Sequence, residues 1–451
     1  MHRSNTRNPA SSAVPTRRRL LLTGVVLPLL VLSGCSSVKS MFGAGNDETV
    51  LPGKREAVVP DRGALTPDPS VASAPIRVPA AQTNANWAQP GGLPTNAYQN
   101  LSLGGNLAVA WSTSIGEGSD RDGALSAPPI VVGGRVYALD TRATLSAFDA
   151  SSGGRVWTTS LVPQGRSAEG AFGGGLASDG RRIFATTGLG EVIAIDSSNG
   201  AVIWRKSVAV PVRAAPTVVN GRVFAVNVNN QVFAFSTENG AEVWRFEGVG
   251  EQAAVISNTS PAVANDTVVA PYTSGELIAF RESDGIPKWG DALTTLTGLS
   301  STASLNNIGG RPVIEGNQVL AISHAGRMGA FSLSDGTRQW TQDLSGTQTP
   351  WVAGDTVFVV SNRNLLVALS RSNGHVRWSA SLPSGQRWAG PVMGGGRLIA
   401  VSSTGAVIFA NPENGQVINQ IALERPVYIP PVIANNTLYI LADDGTLIAM
   451  R

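Results

Sequence analysis

A short phrase recurs seven times between residues 143 and 419: a small residue, a glycine six positions on, and a tryptophan four positions after that. Six copies are complete, at Ala147/Gly153/Trp157, Ala194/Gly200/Trp204, Ala234/Gly240/Trp244, Ala279/Gly285/Trp289, Ala330/Gly336/Trp340 and Ala368/Gly374/Trp378. The seventh, Phe409/Gly415/Asn419, keeps the glycine and loses the tryptophan. The period varies from 38 to 51 residues while the internal spacing stays fixed. Variable loops around a constant supersecondary unit are the mark of a repeat fold.

Each unit reads as four short antiparallel strands. In the unit ending at Trp204, Gly174–Ala177 and Arg182–Thr186 are joined by Ser178-Asp179-Gly180. Gly190–Asp196 and Ala201–Trp204 follow, joined by Ser197-Ser198-Asn199-Gly200, and Asn-Gly tolerates the positive φ of a tight turn. Prolines 129, 216, 261, 391 and 431 are placed to open inner strands, where no ladder hydrogen bond is lost. A lone four-stranded sheet cannot hide both faces, so such units must stack, and forty-odd residues per unit is the size of a β-propeller blade.

Ring closure is legible at the two ends. Ala449 occupies the small-residue position of a last unit, with no glycine or tryptophan after it. The strand Leu107–Trp111 carries a tryptophan with no unit before it. The expectation is an all-β, eight-bladed propeller over residues 86–451, its last blade closed by the N-terminal strand. The tryptophans are expected to pack between adjacent sheets, since an indole at one fixed place per blade is a structural anchor.

The pI of 9.2 misleads. Residues 1–34 hold five arginines (3, 7, 17, 18 and 19) and no acid, and their removal takes the formal charge from +3 to −2. That leaves no electrostatic support for a nucleic-acid partner. Arg17-Arg18-Arg19 followed by the apolar run Leu20–Leu32 reads as an export signal. As a helix that run spans roughly 20 Å, short of the roughly 30 Å hydrocarbon core. It ends in Leu32-Ser33-Gly34-Cys35, which resembles the lipobox of bacterial lipoproteins, and Cys35 is the only cysteine. The resemblance implies lipid on the Cys35 sulfur, cleavage after Gly34 and acylation of the new amino terminus. Ser36 in place of Asp implies sorting to the inner leaflet of the outer membrane, facing the periplasm. Residues 35–85, rich in Ser, Pro, Ala and Gly, are expected to form a flexible tether with an r.m.s. span of roughly 40 Å. Trp87–Gly92 is a candidate plug or strap on the ring.

Catalytic signatures are missing. Of three histidines, His2 falls within the signal, and His324 and His375 sit in turns. No cysteine pair or HExxH spacing marks a zinc site, Ala442-Asp443-Asp444-Gly445 reads as a hairpin turn rather than a calcium loop, and the Gly173–Gly175 and Gly394–Gly396 runs open no helix for phosphate. No catalytic, cofactor or metal residue is assigned.

The phrase as it stands in Ala194–Trp204 resembles the repeat of pyrroloquinoline-quinone dehydrogenases, which are eight-bladed propellers. It covers about residues 107–451 and is specific for the fold, not the cofactor. The alcohol dehydrogenases of that group stack a vicinal disulfide on the quinone and hold calcium with carboxylates, and this chain has no cysteine pair for it. Lipobox, tether and cofactor-less blades together resemble the BamB family of outer-membrane assembly lipoproteins. That resemblance implies a non-catalytic scaffold in the β-barrel assembly (BAM) complex, binding the POTRA domains of BamA beside other BAM lipoproteins and assisting unfolded outer-membrane protein substrates. The family's contact loop carries Leu-x-Leu-Arg before Ala-Pro. Here it corresponds to Val210-Pro211-Val212-Arg213-Ala214-Ala215-Pro216, which implies Val210, Val212 and Arg213 as partner-binding residues. A second family loop with acids before Thr-Thr-Pro corresponds to Ile256–Pro261, where the acids are missing. The other readings are a binding module of another envelope complex and a quinone-dependent dehydrogenase.

Overall fold

The computed structural model describes residues 65–248, 259–294 and 307–451. Cys35, the signal segment and the tether up to residue 64 lie outside the described residues. The described strands form eight four-stranded antiparallel sheets. Seven follow chain order, spanning 130–160, 175–207, 217–246, 262–292, 313–342, 351–381 and 388–422, here blades 1 to 7. Blade 8 joins Val432–Ala434, Thr437–Leu441 and Thr446–Met450 to Val109–Ser114, and Trp111 pairs with Ala449 as its outer strand. Ring closure by the N-terminal strand is therefore observed. Inner strands are enclosed and outer strands half-exposed: Ile130–Val132 is buried throughout, whereas Arg155–Ser160 alternates between exposed and half-buried.

The recurring phrase acquires a mechanical meaning. Within a blade, the small residue of the third strand faces the tryptophan of the outer strand, as in Ala147↔Trp157 and Ala194↔Trp204, next to a bulge. Only a small side chain leaves room there for an indole lying flat toward the next blade. The indole N–H of Trp157 donates to the Ser197 carbonyl of blade 2 at 3.1 Å, and that of Trp204 to Thr237 of blade 3 at 3.0 Å. Trp244, Trp289, Trp340 and Trp378 repeat the bond to Glu282, Leu333, Arg371 and Pro412. The acceptor is always three residues after the next blade's small residue.

The glycine receives the ring. Gly200, at φ +79°, lies against Trp157, and a Cβ there would stand 2.6 Å from the indole. Gly285 meets Trp244 in the same way, also at 2.6 Å. The phrase is thus a lock between blades rather than a motif within one. It also explains the exception at Asn419. Blade 8 takes its outer strand from Val109–Ser114, so it has no hairpin between third and outer strands to accept an indole from blade 7. Trp111 on that closing strand finds its acceptor, Ala150, and its glycine, Gly153, in blade 1.

Two readings of the sequence need adjustment. Pro129, Pro216, Pro261 and Pro431 directly precede inner strands, but Pro391 lies inside Trp388–Gly394, at a register irregularity that accommodates its missing N–H. The stretch assigned to tether also packs on the ring from residue 65 onward. A helical turn, Pro69–Ala72, lies against the outer strand of blade 6, where the Asp68 N–H donates to the Val376 carbonyl at 2.8 Å. His375 Nδ1 stands 2.9 Å from the Asp68 carboxylate.

Residues 84–101 then cross one face of the ring and hydrogen-bond to all eight blades. Asn84 bridges Ile433 and Asn435 of blade 8, and Trp87 exchanges two backbone bonds with Val131 of blade 1. Ala88 accepts from Ser178 of blade 2, and the Gln89 amide both accepts from and donates to the Val218 backbone of blade 3. Pro94 and Thr95 accept from Val263 and Ile314 of blades 4 and 5. Gln99 accepts from Trp351 and Gly354 of blade 6, and Leu101 exchanges bonds with Met393 and Gly395 of blade 7. Trp87 is buried at the centre, 5.3 Å from the Tyr98 ring and 6.4 Å from Trp351. The strap satisfies the ends of inner strands that a bare ring would leave facing a channel.

Candidate functional site

Strand direction assigns the two faces different jobs. The strap covers the side where first and second strands turn, at Gly133, Gly354 and Gly396. The opposite side carries the connections between blades and the turns between second and third strands, and the implied contact loop lies there.

That loop, residues 208–216, joins the outer strand of blade 2, Val202–Ser207, to the inner strand of blade 3, Thr217–Val219. Its backbone is tied on both sides. The Val212 N–H donates to Thr187 at 3.2 Å, the Ala214 carbonyl accepts from Thr186 Oγ1 at 2.7 Å, and Pro211 accepts from Val228 of blade 3 at 3.0 Å. Val212 is fully enclosed in the core between blades 2 and 3, so its side chain anchors the loop from beneath. Val210 is half-buried beside the Gly190 turn and stays at the surface.

Arg213 is no freely solvated charge. Its guanidinium lies 3.9 Å over the Phe172 ring and donates to the Phe172 carbonyl, while its own carbonyl accepts from Gly174. Partial burial pulls its pKa below the ordinary arginine value, and no carboxylate pairs with it among the described residues. The contact couples two interblade loops, 169–174 and 208–216, into one half-exposed surface with a cation at its edge. Of the second implied loop, residues 256–258 lie outside the described residues, and the Pro261 carbonyl accepts from Thr217 Oγ1.

The mouth of the channel opens on this same face as a cavity of about 560 Å3. Its lining includes Arg311, Arg387 and His324, with no acid among the described lining residues. Arg311 is 8% exposed. His324 sits in a turn between strands, as expected, half-buried, with Nδ1 3.3 Å from the Asn362 amide. Among the described residues no group of three or more His, Cys, Asp or Glu is arranged to hold a metal ion, and no helix is long and apolar enough to cross a membrane.

Sequence reasoning passed over Arg311, because a single arginine after Gly309-Gly310 carries no spacing signal. It also gave Gln89 no role; the one available cue was Trp87, a tryptophan outside the repeat phrase.

Comparisons with known proteins agree with this architecture. A 28% identical relative, outer membrane protein assembly factor BamB of Alkalilimnicola ehrlichii, aligns over 43% of this chain and 51% of its own length. The BamB of Burkholderia pseudomallei is 24% identical over 77% of this chain and 88% of its own length. Over the first two curated relatives the matched region spans about half of their length. Among solved structures, BamB from Moraxella catarrhalis superposes with a TM-score of 0.66 at 21% identity, covering 77% of this chain and all of that one. Quinohemoprotein alcohol dehydrogenase from Comamonas testosteroni reaches the same TM-score at 14% identity, over 84% of this chain and 83% of its own. The propeller alone therefore does not separate scaffold from quinone enzyme. The family model for outer membrane protein assembly factor BamB matches residues 141–380 and 380–451, and the chain belongs to that family.

Proposed function

We propose that this protein is a non-enzymatic scaffold of outer-membrane β-barrel assembly, anchored through lipid on Cys35 in the inner leaflet of the outer membrane. The face opposite the strap docks the POTRA domains of BamA, beside the other BAM lipoproteins, and supports folding and insertion of unfolded outer-membrane proteins. The observation that carries this reading is the tied surface at 208–216. Its backbone is fixed to blades 2 and 3, Val212 holds it from below, and Val210 and Arg213 stand at the surface over Phe172. Such a preformed edge loses little conformational entropy on docking. The Arg213 cation then suits an acidic or carbonyl-rich partner edge.

The test is co-purification with BamA in mild detergent. Arg213→Glu is expected to weaken capture tenfold or more while the thermal transition stays cooperative. Unchanged capture removes this loop from the interface. Cys35→Ala is expected to release the protein from the membrane fraction after osmotic lysis; retention of the variant there would overturn the lipid anchor.

A further inference from the structure

The channel mouth contains a buried cation with no carboxylate partner among the described residues. Arg311 is 8% exposed, and its Nε is enclosed without a hydrogen-bond partner among those residues. Its Nη1 reaches Thr349 Oγ1 only at 3.5 Å, and no carboxylate pairs with it among the described residues. Of the two internal stretches outside the described residues, 295–306 contains no acidic residue in its sequence and 249–258 contains one, Glu251. Arg377 shares the enclosed Nε without a partner among the described residues, but it and a second arginine of low exposure, Arg182, have carboxylate partners. Arg377, 6% exposed, pairs with Asp355 at 2.7 Å, and Arg182 pairs with both Asp179 and Glu238. Burial pushes Arg311 down to about 10, which still leaves it charged at neutral pH. An enclosed guanidinium without a counter-charge is costly, and proteins normally pair it or remove it.

The surroundings point to what completes it. Arg387 lines the same cavity beside His324, and no described lining residue is acidic, so the field inside the mouth favours an anion. The volume, about 560 Å3, lies within the range of small-ligand sites. Thr347, Gln348 and Asn362 add side-chain donors, and Trp388 and Tyr428 add flat apolar surface. The strap covers the far end of the channel, so this mouth is a dead-end funnel entered from the docking face. A guanidinium without a carboxylate partner can offer two parallel N–H groups, the geometry that a planar carboxylate matches in bidentate fashion.

We propose that the channel mouth is a binding site for a carboxylate group, held by Arg311 and drawn in by Arg387 and His324. The carboxylate comes either from a free organic acid or from the terminus of an extended polypeptide entering the funnel. The site is separate from the loop of Val210 and Arg213, and its test does not involve BamA.

The experiment is calorimetric titration of the detergent-solubilised full-length protein at low ionic strength, with succinate, inorganic phosphate, tetra-alanine and tetra-alanine amide. Saturable binding of succinate or of free tetra-alanine is expected, with phosphate at least tenfold weaker and the amide silent. Succinate alone identifies a free acid as the source; tetra-alanine alone identifies a chain terminus. Arg311→Lys keeps the charge and loses the fork, so affinity is expected to fall at least tenfold. Arg311→Met is expected to abolish binding while raising the ligand-free melting temperature, because an unpaired buried cation is gone. That rise separates a binding residue from a structural one. No binding by either carboxylate probe, undiminished binding in Arg311→Met, or phosphate binding as tightly as succinate would each overturn the proposal. A lower melting temperature in Arg311→Met would do the same, since it would mean that the guanidinium already has its counterpart.

Discussion

The two faces of this ring are built by opposite rules. On the strap face, residues 84–101 satisfy the inner strands of all eight blades, and Trp87 and Gln89 are enclosed. On the open face, the interblade loops leave Val210 and Arg213 half-exposed and hold Arg311 buried with no carboxylate partner among the described residues. One face is tied down by hydrogen bonds from the strap to every blade; the other carries arginines without carboxylate partners among the described residues. Substitutions on the first should therefore reduce stability and spare binding, and substitutions on the second should do the reverse.

The sharpest way to break that contrast is Trp87→Ala. It removes a buried indole packed on Tyr98 and Trp351, and is expected to cost about 3–5 kcal/mol in urea unfolding. Capture of BamA by the folded fraction should stay unchanged. A Trp87→Ala protein as stable as the parent would mean that the strap is dispensable to the ring. Next in size is Gly285→Ala in the blade lock. The added Cβ faces the Trp244 ring at a backbone φ of +72°, and about 1–3 kcal/mol of destabilisation is expected, read as a lower denaturation midpoint. The glycines at 134 and 180 also have positive φ but nothing within contact range, so alanine there should cost less. A similar loss at all three would show that strain alone, without the indole, explains the conserved spacing within this chain.

Gln89→Ala leaves the Val218 backbone N–H and carbonyl without their side-chain partners, and about 1–3 kcal/mol is expected from equilibrium unfolding. The smallest effect is a pH dependence in the hairpin turns. Hydrogen bonds from the Ser151 and Ser152 side chains hold the half-buried Asp149 carboxyl down at about 2. A depressed carboxylate contributes its stability in full above the ordinary range near pH 4, and that contribution disappears as pH falls through about 2. The melting temperature of the parent should exceed that of Asp149→Asn at pH 6, with the gap closing toward pH 2. A gap that widened on acidification would reverse the sign and refute the assignment.

How much of this was legible in the chain differs by element. Ala194, Gly200 and Trp204 could be read as a blade because their spacing is set by local strand and hairpin geometry. That Gly200 serves Trp157 of the preceding blade, and not Trp204 of its own, could not be read, because the contact crosses between units. The spacing gives no reason for the missing tryptophan at Asn419; ring closure supplies it, because blade 8 has no hairpin to receive an indole. Residues 65–85 looked like tether because Ser, Pro and Ala recur there. Their order comes from contacts made far away in sequence, such as Asp68 with Val376 and Asn84 with Ile433. The family resemblance implies Val212 as a contact residue, whereas the fold encloses its side chain in the core.

The sequence by itself determined the repeating unit, the number of blades and the strand that closes them. Periodic local geometry writes itself into residue spacing, and each blade uses the same short-range rules. Only the tertiary structure decided which face is sealed, what the glycines are for, and that one buried arginine has no carboxylate partner among the described residues. Those properties depend on groups brought together across tens to hundreds of residues, and a one-dimensional pattern holds no record of which distant partner will arrive, or fail to.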